Sequence, residues 1–274
     1  MKLHGNSNYS VEIKSNCNGF FVVKKAYNTD DWKRLCRQIH KQQNYFHFIE
    51  NHKVMRCFFD VPEVIDVDFE SKHVEMKFCN GRSVLDIIEQ EDIFVLSNVL
   101  EELFLFLQWE FDNSKVYISS CKAWDDKVDD LRSKVKDNQI LKVLQRLPSD
   151  GLNIPIGRCH GDLTFSNMLF SNKIVLLDFL DSFIETPLID ITKLMQEVNL
   201  KWSLLMSNRR YDYPKIIIGY NYLQNKFAER LKSFIEENKI HQPTLELFYK
   251  MTLVRILPYC KSERIHNIII EELQ

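Results

Sequence analysis

His160-Gly161-Asp162-Leu163-Thr164-Phe165-Ser166-Asn167, followed by Leu177-Asp178-Phe179, is the stretch on which the reading of this chain turns. It puts a carboxylate and an amide five residues apart on a polar loop. Two short apolar runs follow, Met168 to Phe170 and Ile174 to Phe179, joined by Ser171-Asn172-Lys173. They read as a hairpin, and a second carboxylate sits at the end of its return strand. Phosphoryl transfer asks little covalent help from a protein. It needs a carboxylate to orient and deprotonate the attacking hydroxyl, and oxygen ligands to hold Mg²⁺ on the phosphates. Asp162, Asn167 and Asp178 are the right groups for those tasks.

Outward from this stretch the chain has two characters. Tyr9 to Lys14 and Phe20 to Lys25 read as strands around the turn Ser15 to Gly19, and Val64 to Phe69 and Val74 to Phe78 as two more. Between the pairs, Thr29-Asp30-Asp31 is a helix-start signal, with Trp32, Leu35, Cys36 and Ile39 following at helical spacing. Val61-Pro62 breaks the chain, and Cys79-Asn80-Gly81 reads as a connector. Beyond it the pattern is helical. Asp92 precedes Ile93, Leu96, Leu100, Leu103, Phe104 and Leu107; Trp124, Val128, Leu131 and Val135 form a second stripe; Ile140 to Leu147 gives a short third. Pro148 to Gly151 is a loop, and from Leu188 the chain reads as helices broken near Tyr211 to Pro214 and at Pro243. The expectation is an α+β chain with an N-terminal portion at 1–79 and a helical portion at 80–274, the 168–179 hairpin embedded in the latter.

Composition excludes several classes. The 274 residues are 45% hydrophobic with a net charge of −2, which gives a sizeable core and no basic tail for nucleic acid. Seven cysteines, none in a C-x-x-C pair, and eight histidines without a ligand pattern argue against a zinc site and for reduced thiols. No apolar run is long enough to span a membrane and the first residues do not form a signal peptide, so the chain is expected to be soluble and cytoplasmic.

The loop resembles the kinase pattern H-x-D-L-x-x-x-N followed by D-F. In its local form it is similar to the aminoglycoside phosphotransferase and choline kinase family. The likeness runs on through Asp178-Phe179-Leu180-Asp181 to Pro187-Leu188-Ile189-Asp190. It implies a two-lobed, protein-kinase-like fold, with a small antiparallel-sheet lobe carrying one helix and a larger helical lobe. It implies ATP or another NTP bound between the lobes with Mg²⁺, and a small-molecule hydroxyl as acceptor. Asp162 would be the base and His160 part of the catalytic group, with Asp190 as local scaffold. Asn167 and Asp178 would be the metal ligands.

The resemblance also marks the N-terminal portion. Phe21-Val22-Val23-Lys24 is similar to the third-strand pattern whose lysine neutralises phosphates. Gly5-Asn6-Ser7 before the first strand resembles a shortened nucleotide-covering loop, and Met76-Lys77-Phe78-Cys79 the adenine-binding hinge. One departure is the helix after Lys24, where the expected Glu is Gln38, which leaves Glu50 as another candidate partner. Another is Leu180 where protein kinases have Gly. The segment from Asp178 to Pro187 is too short to hold an activation loop, which favours a small acceptor over a protein kinase; an inactive nucleotide-binding scaffold is a third reading. The wording from His160 to Asn167, with Ser182 to Asp190 after it, looks most like phosphotransferases of bacterial surface-polysaccharide synthesis, implying a sugar, polyol or amino-alcohol acceptor. Asp125, Asp126, Asp129 and Asp130 fit a solvated helix face better than an amine site. Trp202, Tyr211, Tyr213, Tyr220 and Tyr222 fit packing better than an aromatic cage, and Arg209-Arg210 a solvated pair.

Overall fold

A computed structural model describes residues 2–3, 9–17, 19–114, 116–118, 122–135, 138–143, 154–260 and 262–274. Its elements, in chain order, are β1 (Lys2–Leu3), β2 (Tyr9–Asn16), β3 (Gly19–Ala26), α1 (Thr29–Asn51), α2 (Met55–Phe58), β4 (Phe59–Asp60), β5 (Val64–Asp68), β6 (His73–Lys77), β7 (Arg82–Ser83), α3 (Val84–Gln90) and α4 (Ile93–Asp112). There follow β8 (Val116–Ile118), α5 (Lys122–Lys134), α6 (Asn138–Val143), β9 (Ile154–Ile156), β10 (Met168–Phe170), β11 (Ile174–Leu176), α7 (Pro187–Leu200), α8 (Trp202–Met206), α9 (Tyr213–Glu237), α10 (Gln242–Val254) and α11 (Glu263–Leu273). The fold is α+β. It divides into one unit of residues 1–84 with 167–181 and another of 85–166 with 182–274.

The first unit is built on an antiparallel sheet in the order β1-β2-β3-β6-β5. Lys24 pairs with Val74 and Val22 with Met76, so these four side chains share one face. That face packs on α1. Val74, Met76, Tyr9 and Ala26 meet Trp32, Leu35 and Ile39 in one buried cluster. Helix α1 starts where Asn28 Oδ1 accepts from Asp31 N at 2.8 Å, with Asp30 and Asp31 in its first turn, a favourable end for acidic groups. It runs well past the stripe read from the sequence, burying Gln42, Tyr45 and Ile49 as well.

A second sheet of this unit has the order β4-β11-β10-β7, with β11 parallel to β4. The hairpin that reads in sequence as part of the helical portion therefore pairs on both sides with strands from before residue 84. Those partners are two residues long, too short to show periodicity.

The second unit is mainly helical. Asp92 caps α4, its Oδ1 accepting from Phe94 N at 2.9 Å and Val95 N at 3.1 Å. Phe104 of α4 packs against Phe227 and Phe234 of α9, at 5.5 and 5.6 Å between ring centroids. Trp124 of α5 meets Phe248 of α10 at 4.9 Å. Helix α7 opens on Thr186 as cap with Pro187 in its first turn, and packs on α10 through a Thr192–Thr252 hydroxyl contact of 2.9 Å. Strands β8 and β9 pair with each other, which the sequence did not suggest. Among the described residues no helix is long and apolar enough to cross a membrane.

Candidate functional site

In the second unit, the loop before residue 167 is held from behind by two buried carboxylates of α7. Asp190 accepts from His160 N, and from Gly161 N at 2.8 Å. Gly161 has φ +91, a conformation a side chain would strain, so the loop turns there only because the residue is glycine. Glu197, fully buried, accepts from Phe165 N at 3.1 Å, Ser203 N at 3.0 Å, Ser203 Oγ at 2.6 Å and the Tyr220 hydroxyl at 2.8 Å. Burial pushes its carboxyl pKa up, and these donors pull the other way. Four donors on one carboxylate fix the loop's far end as Asp190 fixes its near end.

The buried ring of His160 accepts from Asp162 N through Nδ1 at 3.3 Å, which sets the proton of the neutral ring on Nε2. Thr164 N donates to Asp162 O at 2.8 Å, closing the turn around Asp162. The Asp162 carboxylate is 26% exposed and meets Lys193 Nζ at 2.9 Å. Two turns of backbone hydrogen bonding thus present one carboxylate, and His160 acts on it through the backbone.

In the first unit, the β10–β11 register pairs Met168 with Leu176, and Leu177 N donates to Asn167 O at 2.9 Å. Asn167 and Asp178 therefore flank the same end of one hairpin. Asp178 adopts φ +57 and keeps its side chain half-exposed, where it pairs with the Lys24 ammonium. Lys24 lies on the core-facing side of β3 and is 17% exposed, whereas Lys25 points to the other face and is exposed. The carboxylate that meets Lys24 is thus Asp178. Glu50 is exposed on α1 and Gln38 is buried on it.

Helix α1 grips the segment after Asp178. Arg37 pairs with Asp181, Lys41 Nζ donates to Leu180 O at 2.7 Å, and the Tyr45 ring packs at a tilt on Phe179 with 4.8 Å between centroids. None of these contacts has a local sequence signal, because each depends on which α1 residues face the hairpin.

The remaining candidates are placed as follows. Met76 turns its side chain into the core, where its sulfur accepts from Gln42 Nε2 at 3.4 Å, and its backbone lies between Val22 of β3 and Val64 of β5. Lys77 is exposed and its N–H donates to Glu63 O at 2.8 Å. Phe78 packs edge-on against Phe20 at 6.1 Å, and burial raises the pKa of the Cys79 thiol. Gly5, Asn6 and Ser7 lie outside the described residues. Asp130 is neutralised by Lys127 and Lys134 at 2.7 and 2.6 Å, Arg209 pairs with Asp86, and Tyr220 is a core residue spent on Glu197.

Among the described residues no three His, Cys, Asp or Glu side chains cluster as a metal cage. An amide and a carboxylate at one hairpin end suit Mg²⁺, which keeps several waters or phosphate oxygens and takes few protein ligands. The cation already drawn to Asp178 is the Lys24 ammonium, so this carboxylate is placed where positive charge is stabilised.

The model of the family described as "Phosphotransferase enzyme family" matches residues 119–209, a segment that includes Asp162, Asn167, Asp178 and Asp190. No curated protein matches the chain. Among solved structures, a thermostable mutant of aminoglycoside phosphotransferase APH(4)-Ia in its apo form aligns with a TM-score of 0.65 at 13% identity, over 100% of this chain and 93% of that one. ADP-bound aminoglycoside phosphotransferase APH(2'')-Ib gives 0.54 at 16% identity, over 100% and 91%. The gentamicin complex of APH(2'')-IIa gives 0.54 at 15%, over 99% and 89%. The chain therefore shares the fold of these aminoglycoside phosphotransferases along its length and is similar to the phosphotransferase family over residues 119–209.

Proposed function

We propose that this protein is an ATP-dependent phosphotransferase that phosphorylates a hydroxyl of a small molecule. The observation that carries the reading is the pairing of Lys24 with Asp178 at the end of the hairpin that also bears Asn167. A lysine for phosphates and a carboxylate for their metal ion would have to be neighbours for the family's chemistry. Two relatives in fold support the choice of ligands, one solved with ADP and one with gentamicin.

In this reading Asn167 and Asp178 hold Mg²⁺, which when bound offsets the charge of the phosphates. Lys24 contacts the α- and β-phosphates, and the backbone of residues 76–79 receives the base. Asp162 accepts the hydrogen bond of the acceptor hydroxyl and orients its oxygen toward the γ-phosphorus. The new P–O bond forms to that oxygen, the bond to the β-phosphate oxygen breaks, the proton passes to Asp162, and ADP leaves with the electron pair. Asp190 and Glu197 keep the loop rigid, so little reorganisation is left for the reacting step.

The resemblance of residues 160–167 and 182–190 to phosphotransferases of surface-polysaccharide synthesis supports a sugar, polyol or amino alcohol as acceptor. The test is γ-labelled ATP with either a size-fractionated metabolite extract or a protein extract of the source cells. Label in a small hydroxyl compound is expected. Label only in protein would replace this reading with a protein kinase, and nucleotide binding without any transfer would replace it with a scaffold.

A further inference from the structure

The surroundings of Asp162 within its own unit are cationic. Lys193, on α7, places its ammonium 2.9 Å from Asp162 Oδ1 with only 13% of its side chain exposed, and also donates to Gln196 Oε1 at 3.2 Å. Arg255 follows directly on α10, the helix joined to α7 at Thr192 and Thr252. Its guanidinium lies over the Phe183 ring at 5.1 Å. Its Nη1 is buried and has no hydrogen-bond partner. Burial lowers the Arg255 pKa, and among the groups opposing that shift Asp162 ranks first.

A buried guanidinium nitrogen with nothing to donate to is costly. Asp162 supplies one negative charge to two partly buried cations, and it already meets Lys193. Asp190, the other carboxylate of this loop, is turned to His160 N and Gly161 N, so at the Asp162 side chain itself the cations outnumber the carboxylate. An acceptor carrying an ammonium group would be repelled here, while a carboxylate or phosphate could accept from Arg255 Nη1. In the acidic stretch of α5, Asp129 and Asp130 are paired with Arg132, Lys127 and Lys134 of their own helix.

We infer that Arg255 and Lys193 form an anion subsite beside Asp162, and that the acceptor is a hydroxyl compound bearing a carboxylate or phosphate rather than an amine. This rests on the phosphotransferase reading for the role of Asp162, but the subsite itself is a property of the second unit. When such an acceptor binds, its hydroxyl meets Asp162 while its anionic group meets Arg255, and Lys193 is shared between the two negative charges.

The test uses four compounds with the same polyol chain: gluconate, glucitol 6-phosphate, glucitol and glucamine. Each is titrated by calorimetry into the full chain, with and without saturating MgADP, the arm with MgADP keeping phosphate from the nucleotide's own place. Gluconate or glucitol 6-phosphate is expected to bind at least about tenfold more tightly than glucitol, with glucamine weakest. The stronger of the two anions tells carboxylate from phosphate. Arg255→Met and Lys193→Gln should each remove that advantage; both are checked by thermal melting, and either folded variant suffices. Equal affinities for anion and glucitol, no binding of either, a preference for glucamine, or an anion advantage that survives both substitutions would overturn the inference. Loss of MgADP binding with the anion preference intact would instead count against the phosphotransferase reading alone.

Discussion

The Lys24 ammonium and the Asp178 carboxylate meet although 154 residues separate them. The contact joins the third strand of one sheet to the end of a hairpin in another, within a single unit. Strand alternation decides which lysine can make it, since Lys24 shares the face of Val22 and Val74 and Lys25 faces away. Lys24→Ala is therefore expected to weaken nucleotide affinity and slow turnover, and Lys25→Ala to change neither by more than a small factor. Titration with MgATP and steady-state assays of both variants check this; an effect confined to Lys25→Ala would contradict the assignment.

Removing the other partner separates metal from phosphate. Asp178→Ala should abolish the Mg²⁺ dependence of nucleotide binding, because Asn167 alone is a neutral ligand. Calorimetric titration of ATP with and without Mg²⁺ reads it. Unchanged affinity and unchanged metal dependence would move the metal ion elsewhere.

The four donors on Glu197 make a prediction about folding rather than chemistry. Tyr220→Phe deletes one of them and leaves a fully buried carboxylate short of a partner. A cost of about 1.5–3 kcal/mol is expected, as for hydrogen bonds to charged groups. Denaturant unfolding should show a lower midpoint with an unchanged slope. A stability equal to that of the parent would mean that the hydroxyl is dispensable to Glu197.

Gly219 tests packing against propensity. It lies in α9, where alanine would be preferred by about 1 kcal/mol on backbone grounds alone. A Cβ there would stand 2.6 Å from Ile88 Cγ2 and 3.0 Å from Ile88 O. Overpacking of this kind costs about 1–3 kcal/mol, so Gly219→Ala should destabilise on balance. A raised melting temperature would show that α3 and α9 can move apart.

What could be read in the sequence is what local chemistry encodes. The β2–β3 hairpin, α1, the Asp92 cap and the long stripe of α4 follow from turn residues, caps and periodicity. The Asp162 loop follows from spacing. The two-residue partners β4 and β7 carry no periodic signal, so the hairpin's place in the first unit could not be read. Glu197, Lys193 and Arg255 look like ordinary helix residues until α7 and α10 are packed together. The same holds for Arg37 and Lys41, which act on Asp181 and Leu180 from a distant helix. The resemblance points to an acid on α1 as the partner of this lysine, whereas Lys24 meets Asp178.

The central claim is that Asp162 takes the proton of an acceptor hydroxyl. Its backbone is fixed by His160 and Thr164 and its side chain is partly exposed, so Asp162→Asn should leave the loop and the nucleotide contacts intact. The decisive measurement is turnover of Asp162→Asn with the acceptor found by label transfer, alongside its affinity for MgATP. A loss of about 10²- to 10⁴-fold in kcat with near-parental nucleotide affinity is predicted. Retention of more than about a tenth of the parental turnover would contradict the account.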